Sequence, residues 1–144
     1  MKAGGVSRED LGYLLAKASQ RWNERLTDRF RAAGFDEVRA SYGSVLVPLF
    51  EEDGLRMGEL ARRSRLSKQT MTTLVRLVER DGLVTRDRDP EDARAVRVQL
   101  SARSEELRPI VEASLAELEA RAAGLLTHAG LHRLKNALKG VMDL

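Results

Sequence analysis

The sequence predicts a mainly α-helical chain with one small β-hairpin set into it. Three observations carry that expectation. Apolar residues recur at intervals of three and four over long stretches near both ends. One alternating run, Val96, Val98 and Leu100 interleaved with Arg97 and Gln99, breaks that rhythm. A charged segment, 87–94, with Asp89-Pro90 as a turn starter, separates the run from a short apolar stretch, Leu83-Val84-Thr85.

The elements follow in order. Ser7-Arg8-Glu9-Asp10 has the form of a capping box. Leu11, Leu14, Leu15, Ala18, Trp22, Leu26 and Phe30 then form one stripe, and Gly34 stops the helix. Asp36 is the expected cap of a second helix over about residues 37–51. Pro48 removes one backbone hydrogen bond there and should kink or shorten the last turn. Residues 58–80 hold two short helical patterns. The first contains Leu60 and Ala61. The second opens at Ser67, a good N-cap, and carries Met71, Leu74, Val75 and Val78 on one face. Ser64-Arg65-Leu66 joins them tightly, which makes a helix-turn-helix pattern. Asp81-Gly82 stops the second helix. The hairpin of 83–85 and 95–100 comes next, so the arrangement is a winged helix. Ser101 caps a long helix with Leu107, Val111, Leu115, Leu118 and Ala122 in its stripe, and Pro109 should bend it. Gly124 and Thr127 mark a break before a last helix bearing Leu131, Leu134, Leu138 and Val141.

The expected organisation is a winged helix-turn-helix at 35–100, flanked by an N-terminal dimerisation helix at 1–34 and C-terminal dimerisation helices at 101–144. The end helices carry narrow apolar seams, Leu11 and Leu14 on one side, Leu131, Leu134, Leu138 and Val141 on the other. One subunit would struggle to bury such seams alone, which favours a homodimer over a monomeric bundle.

Composition narrows the function. The chain has no cysteine, which excludes disulfides, thiol redox sensing and cysteine-ligated zinc. His128 and His132 lie four apart without a nearby acid, so no metal site and no cofactor are expected. No nucleophile elbow, phosphate loop or zinc-protease motif occurs, which argues against an enzyme. Residues 1–10 lack an apolar signal region, and the longest apolar run, 45–50, is far too short for a membrane span. A cytoplasmic protein without membrane contact is expected.

Net charge is +3, but segment 56–88 carries +5 and the remainder −2. A basic middle of this kind is an electrostatic footprint for a polyanion, or alternatively an arginine-rich helix surface with no such role. The outer face of the second short helix carries Gln69, Thr72, Thr73, Arg76 and Arg80, groups that meet base edges and phosphates. By contrast, 83–98 sums to zero, with Arg86, Arg88, Arg94 and Arg97 against Asp87, Asp89, Glu91 and Asp92.

The stretch GELARRSRLSKQTMTTLVRLVERDGLVTRDRDPEDARAVRVQLS closely resembles the MarR (multiple antibiotic resistance regulator) family of bacterial transcription factors. Glu59-Leu60-Ala61, Leu66-Ser67-Lys68-Gln69-Thr70, Gly82-Leu83-Val84, Arg86 and the tip Asp89-Pro90-Glu91-Asp92-Ala93-Arg94 carry the likeness. The resemblance implies a homodimer, built by the first and last two helices, that grips a pseudo-palindromic double-stranded DNA operator and regulates transcription, as a repressor. It implies that Arg94 enters a minor groove, where a narrow A·T-rich stretch concentrates negative potential, while Asp92 holds its pose. Ser67, Lys68, Gln69, Thr72, Thr73 and Arg76 are the expected recognition-helix contacts, with Arg65 and Arg86 as phosphate clamps. It also implies release by a small aromatic or phenolic effector, for which Trp22, Phe35, Arg39, Ser41 and Tyr42 are candidates. The other reading is a winged-helix protein-interaction module that has lost DNA contacts. Two departures stand out: Ala93 replaces a common second arginine, and Ser101-Ala102-Arg103-Ser104 replaces a common Thr and Gly.

Overall fold

The computed structural model describes residues 5–144; the first four residues of the 1–34 segment lie outside it. The chain divides into two compact units, Met1–Ile110 and Val111–Leu144.

The first unit starts with α1 (Leu11–Ala32). The capping box expected at Ser7 forms only by half. The Asp10 carboxylate accepts the Ser7 backbone N–H at 2.9 Å, but the Ser7 hydroxyl accepts from Glu9 N–H instead. That local turn competes with the first helical turn, and α1 begins at Leu11 with Asp10 as its N-cap. The second helix also starts later than expected. Residues 36–39 stay non-helical, a 3-10 turn spans Ala40–Tyr42, and α2 runs Gly43–Glu51. Next come β1 (Leu55–Arg56), α3 (Met57–Arg63), α4 (Lys68–Arg80), β2 (Val84–Arg88), β3 (Val96–Leu100) and the beginning of α5 (Ala102–Leu126).

Helices α1, α3 and α4 end in the same way. In each, the residue two beyond the cap donates back to the third residue from the helix end: Phe35 N–H to Phe30 O at 2.8 Å, Leu66 to Ala61 at 3.0 Å, and Leu83 to Val78 at 3.1 Å. This Schellman closure needs one residue in the left-handed region. Gly34 and Gly82 supply it without strain, whereas between α3 and α4 Arg65 adopts φ +56°. The closure after α3 is therefore the turn of the helix-turn-helix. Ser67 then caps α4, accepting the Thr70 N–H at 3.0 Å.

Pro48 lies inside α2, which continues three residues beyond it. Proline has no N–H for the carbonyl four residues back, that of Ser44. The Ser64 hydroxyl, at the end of α3, donates to that same carbonyl. The contact both satisfies the gap and ties α2 to α3.

The sheet order is β1-β3-β2, antiparallel throughout, with Leu55 opposite Val98 and Arg86 opposite Val98 from the other side. The two-residue β1 is too short to show alternation and was not expected. Tyr42, Val45, Leu49, Leu60, Met71, Val75, Val78, Leu83, Val98 and Leu107 are all fully buried and form the core. The first turns of α5 are bolted to it. The Ser101 hydroxyl donates to Gly82 O at 2.7 Å and the Ser104 hydroxyl to Leu83 O. Arg103 donates to Glu37 and to Gly34 O, with its guanidinium 3.8 Å from the Phe35 ring centre.

In the second unit, α5 continues to Leu126 and α6 spans His128–Met142. Thr127 caps α6 from φ +68°, accepting the Gly130 N–H at 3.1 Å. Glu119 and Lys135 form an ion pair. Among the described residues of α6, none is buried.

The Ser64 bridge makes a testable statement. Ser64→Ala should cost about 1–3 kcal/mol in urea unfolding, the penalty for an orphaned carbonyl. In a Pro48→Ala background, where residue 48 regains its own N–H, the same change should cost clearly less.

Candidate nucleic-acid interface

The stripe of Met71, Val75 and Val78 turns α4 so that its other residues face outward. Two adjacent rows emerge, Lys68-Thr72-Arg76 and Gln69-Thr73-Leu77, each at a spacing of four. The Thr72 and Thr73 hydroxyls donate to the carbonyls of Lys68 and Gln69, at 2.8 and 3.1 Å. A groove lies along each row. The first, about 520 Å³, gathers Lys68, Thr72 and Arg76 from α4, Arg86 from β2, Arg94 from the wing and Arg56 from β1. The second, about 560 Å³, gathers Gln69, Thr70, Thr73 and Leu77 with Ser41 and Ser44.

The first groove is basic but not uniformly so. Arg86 pairs with Glu79 at 3.0 Å, and Glu59 binds both Arg62 and Arg63. Hydrogen bonds from these two guanidiniums pull the Glu59 carboxyl down to about 2. Among the described residues, Lys68 and Arg76 pair with no acid. At the wing tip, Asp92 accepts the Arg94 N–H at 3.0 Å and lies 3.4 Å from its Nε, while the Arg94 side chain is 94% exposed. Arg65 sits in the turn itself, exposed at its left-handed position. The expected contacts thus fall on two flanks of one helix plus the wing, and six basic or hydroxyl groups line one groove.

Residues 41–96 match the model of the MarR family. The family likeness is therefore carried by this segment, about two fifths of the chain. Solved structures extend the likeness to most of the chain. The PcaV transcriptional regulator from Streptomyces coelicolor, solved with its natural ligand, has a TM-score of 0.78 at 20% identity over 97% of each chain. A MarR transcriptional regulator from Methanosarcina mazei Go1 has a TM-score of 0.74 at 19% identity, covering 92% of this chain and 94% of that one. AbfR, solved in its reduced form bound to DNA, has a TM-score of 0.69 at 19% identity, covering 92% and 89%. At such identities these likenesses establish the fold, that of MarR-family transcriptional regulators. No curated protein matches by sequence.

Several of the candidate effector residues are engaged elsewhere in the fold. Tyr42 is fully buried, and its hydroxyl donates to Asp81 at the end of α4. Burial, then the Asp81 bond, pushes the phenol pKa up, and the same bond holds the Asp81 carboxyl down. Phe35 is buried beneath Arg103. Ser41 lies in the groove with Gln69 and Thr73. Trp22 is half-buried on α1, and Arg39 is exposed.

Two residues were absent from the expected interface. Glu79 constrains Arg86, and Arg56 joins the basic groove. The Arg56 placement arises from β1 pairing with β3 more than forty residues away, for which the local sequence carries no signal.

Asp89 is the buried carboxylate of the wing. It accepts the Glu91 N–H at 2.8 Å and Arg56 Nε at 2.8 Å, and lies 2.7 Å from Arg97 Nε. These partners, the Glu91 N–H foremost, pull it down to about 2. A folded pKa below the unfolded value of about 3.9 gives stability that is complete above the unfolded value and is lost as pH falls through the folded one. Asp89→Asn should therefore be less stable than wild type at neutral pH. In urea titrations the gap should stay constant down to about pH 5 and close progressively between about pH 4 and pH 2.

Proposed function

We propose that the protein is a sequence-specific double-stranded DNA-binding regulator of transcription that works as a homodimer on a pseudo-palindromic operator. The observation that carries this reading is the convergence of Lys68, Arg76, Arg86 and Arg94 on one groove along the outward face of α4. An outward row of amide, hydroxyl and guanidinium groups supplies donors and acceptors for base edges, while unpaired cations meet phosphates. The solvent-exposed Arg94, held by Asp92, has the reach for a minor groove. That a solved structure of the same fold holds DNA supports the reading.

A homodimer follows from the end helices. Leu11 and Leu14 on α1, and Leu125, Leu134 and Met142 in the second unit, are 43–84% exposed. Large apolar side chains in such numbers on helices mark a protein interface. Repression, with release by a small aromatic or phenolic acid, completes the proposal. That a regulator of the same fold, PcaV, is solved with its natural ligand supports the effector part of this reading. Trp22, Arg39 and Ser41 are the candidate effector contacts still accessible.

Two outcomes are expected. Arg94→Ala should weaken binding to an operator selected from genomic fragments by about 1–3 kcal/mol in fluorescence anisotropy, with unchanged melting temperature. Binding equal to wild type would remove Arg94 from the interface. Leu14→Asp combined with Leu134→Asp should shift the protein towards monomer in light scattering, and its operator affinity should fall with it.

A further inference from the structure

Arg56 and Arg97 sit directly opposite each other across the β1–β3 pair. Like charges at such a position repel. The sheet tolerates them because the Asp89 carboxylate, whose side chain is fully buried, reaches both Nε atoms, at 2.8 and 2.7 Å. The two arginines then diverge. Arg97 is engaged by the backbone, donating to Gly54 O at 2.8 Å. Arg56 keeps 44% of its side chain exposed and lines the basic groove with Lys68, Arg76, Arg86 and Arg94. One anion for two cations leaves the cluster with a net positive charge, and only Arg56 presents it to that groove.

We propose that Arg56 is a DNA-phosphate contact and that Asp89 is the positioning residue that aims it. This rests on the DNA-binding reading above and adds a contact that the recognition helix and wing tip do not include. A guanidinium held through Nε keeps its two terminal nitrogens for a phosphate. Fixing it in advance lowers the entropy lost on binding. Asp89 also accepts the Glu91 N–H and donates its own N–H to Ala95 O at 3.0 Å, so the same residue shapes the loop that carries Arg94.

The test is anisotropy binding to the selected operator and to a scrambled duplex between 50 and 200 mM salt, for wild type, Arg56→Gln, Arg56→Lys and Asp89→Asn, with melting temperatures in parallel. Each phosphate contact contributes about 0.9 to the slope of log affinity against log salt. Arg56→Gln should flatten the slope by about that amount per protomer, on both duplexes. Its affinity deficit should then shrink by about 3.5-fold per lost contact across the salt range. A purely structural Arg56 would change the melting temperature and leave the slope alone, which would overturn the contact.

Asp89→Asn discriminates by sign. If Asp89 acts only through the long-range field, removing a negative charge tightens DNA binding. If it aims Arg56, binding weakens, and Arg56→Gln adds little on top. Should Asp89→Asn unfold, Arg56→Lys decides the same point: it keeps the charge but loses the Nε anchor. Wild-type binding by Arg56→Lys would overturn the positioning role. Failure of the wild type itself to bind either duplex would sink the DNA-binding reading, and this inference with it. A wild type that binds while Arg56→Gln matches its slope would sink the inference alone.

Discussion

The burial of one stripe of α4 governs the rest of the domain. Met71, Val75 and Val78 lie on a single face and are entirely removed from water. Each such side chain contributes about 1.5–3 kcal/mol. Because successive helical residues are rotated by a fixed angle, committing that face also commits the opposite one. Lys68, Gln69, Thr73 and Arg76 are outward because the stripe is inward. The two Schellman closures at Arg65 and Gly82 fix where α4 starts and where the wing begins, so the helix can neither slide nor lengthen. Tyr42 adds a third restraint through its bond to Asp81 at the C-terminal end of α4.

Acid–arginine pairing, rather than bulk charge, organises the basic surface. Glu59 holds Arg62 and Arg63, Glu79 holds Arg86, Asp89 holds Arg56 and Arg97, and Asp92 holds Arg94. The exposed pairs among these, those of Glu59, Glu79 and Asp92, add little stability. Their effect is on side-chain freedom: an arginine already held in one pose loses less entropy when it meets a ligand. On the proposed reading, this is the reason for a wing whose formal charges cancel within a chain whose middle is basic. The four acids are distributed among the arginines and do not form a patch of their own.

Much of this was legible in the primary structure, and the failures have identifiable causes. Ser67 as a cap, the α4 stripe, the helix stops at Gly34 and Gly82 and the two wing strands are all local signals, set by spacings of a few residues. The onset of α2 was misplaced because Asp36 suits a cap, yet Phe35 is drawn back to Phe30 by the closure of α1 and Glu37 is engaged by Arg103 from α5. The Ser7 capping box was half right because Ser7 found a nearer donor in Glu9. The gap that Pro48 leaves is legible locally, but its remedy, Ser64, lies at the end of another helix.

The sequence alone determined the order of the main helices and the two wing strands, the inward face of α4 and the presence of a charged, self-cancelling wing. These follow from periodicity and turn chemistry, which act within one or two turns of the chain. The tertiary structure decided which acid holds which arginine. It paired β1 with β3 and thereby brought Arg56 into the groove with Arg86 and Arg94. It also diverted Tyr42 and Phe35 into packing. Those outcomes depend on contacts between residues tens of positions apart, where side-chain identity is readable but partnership is set by the packing of the core.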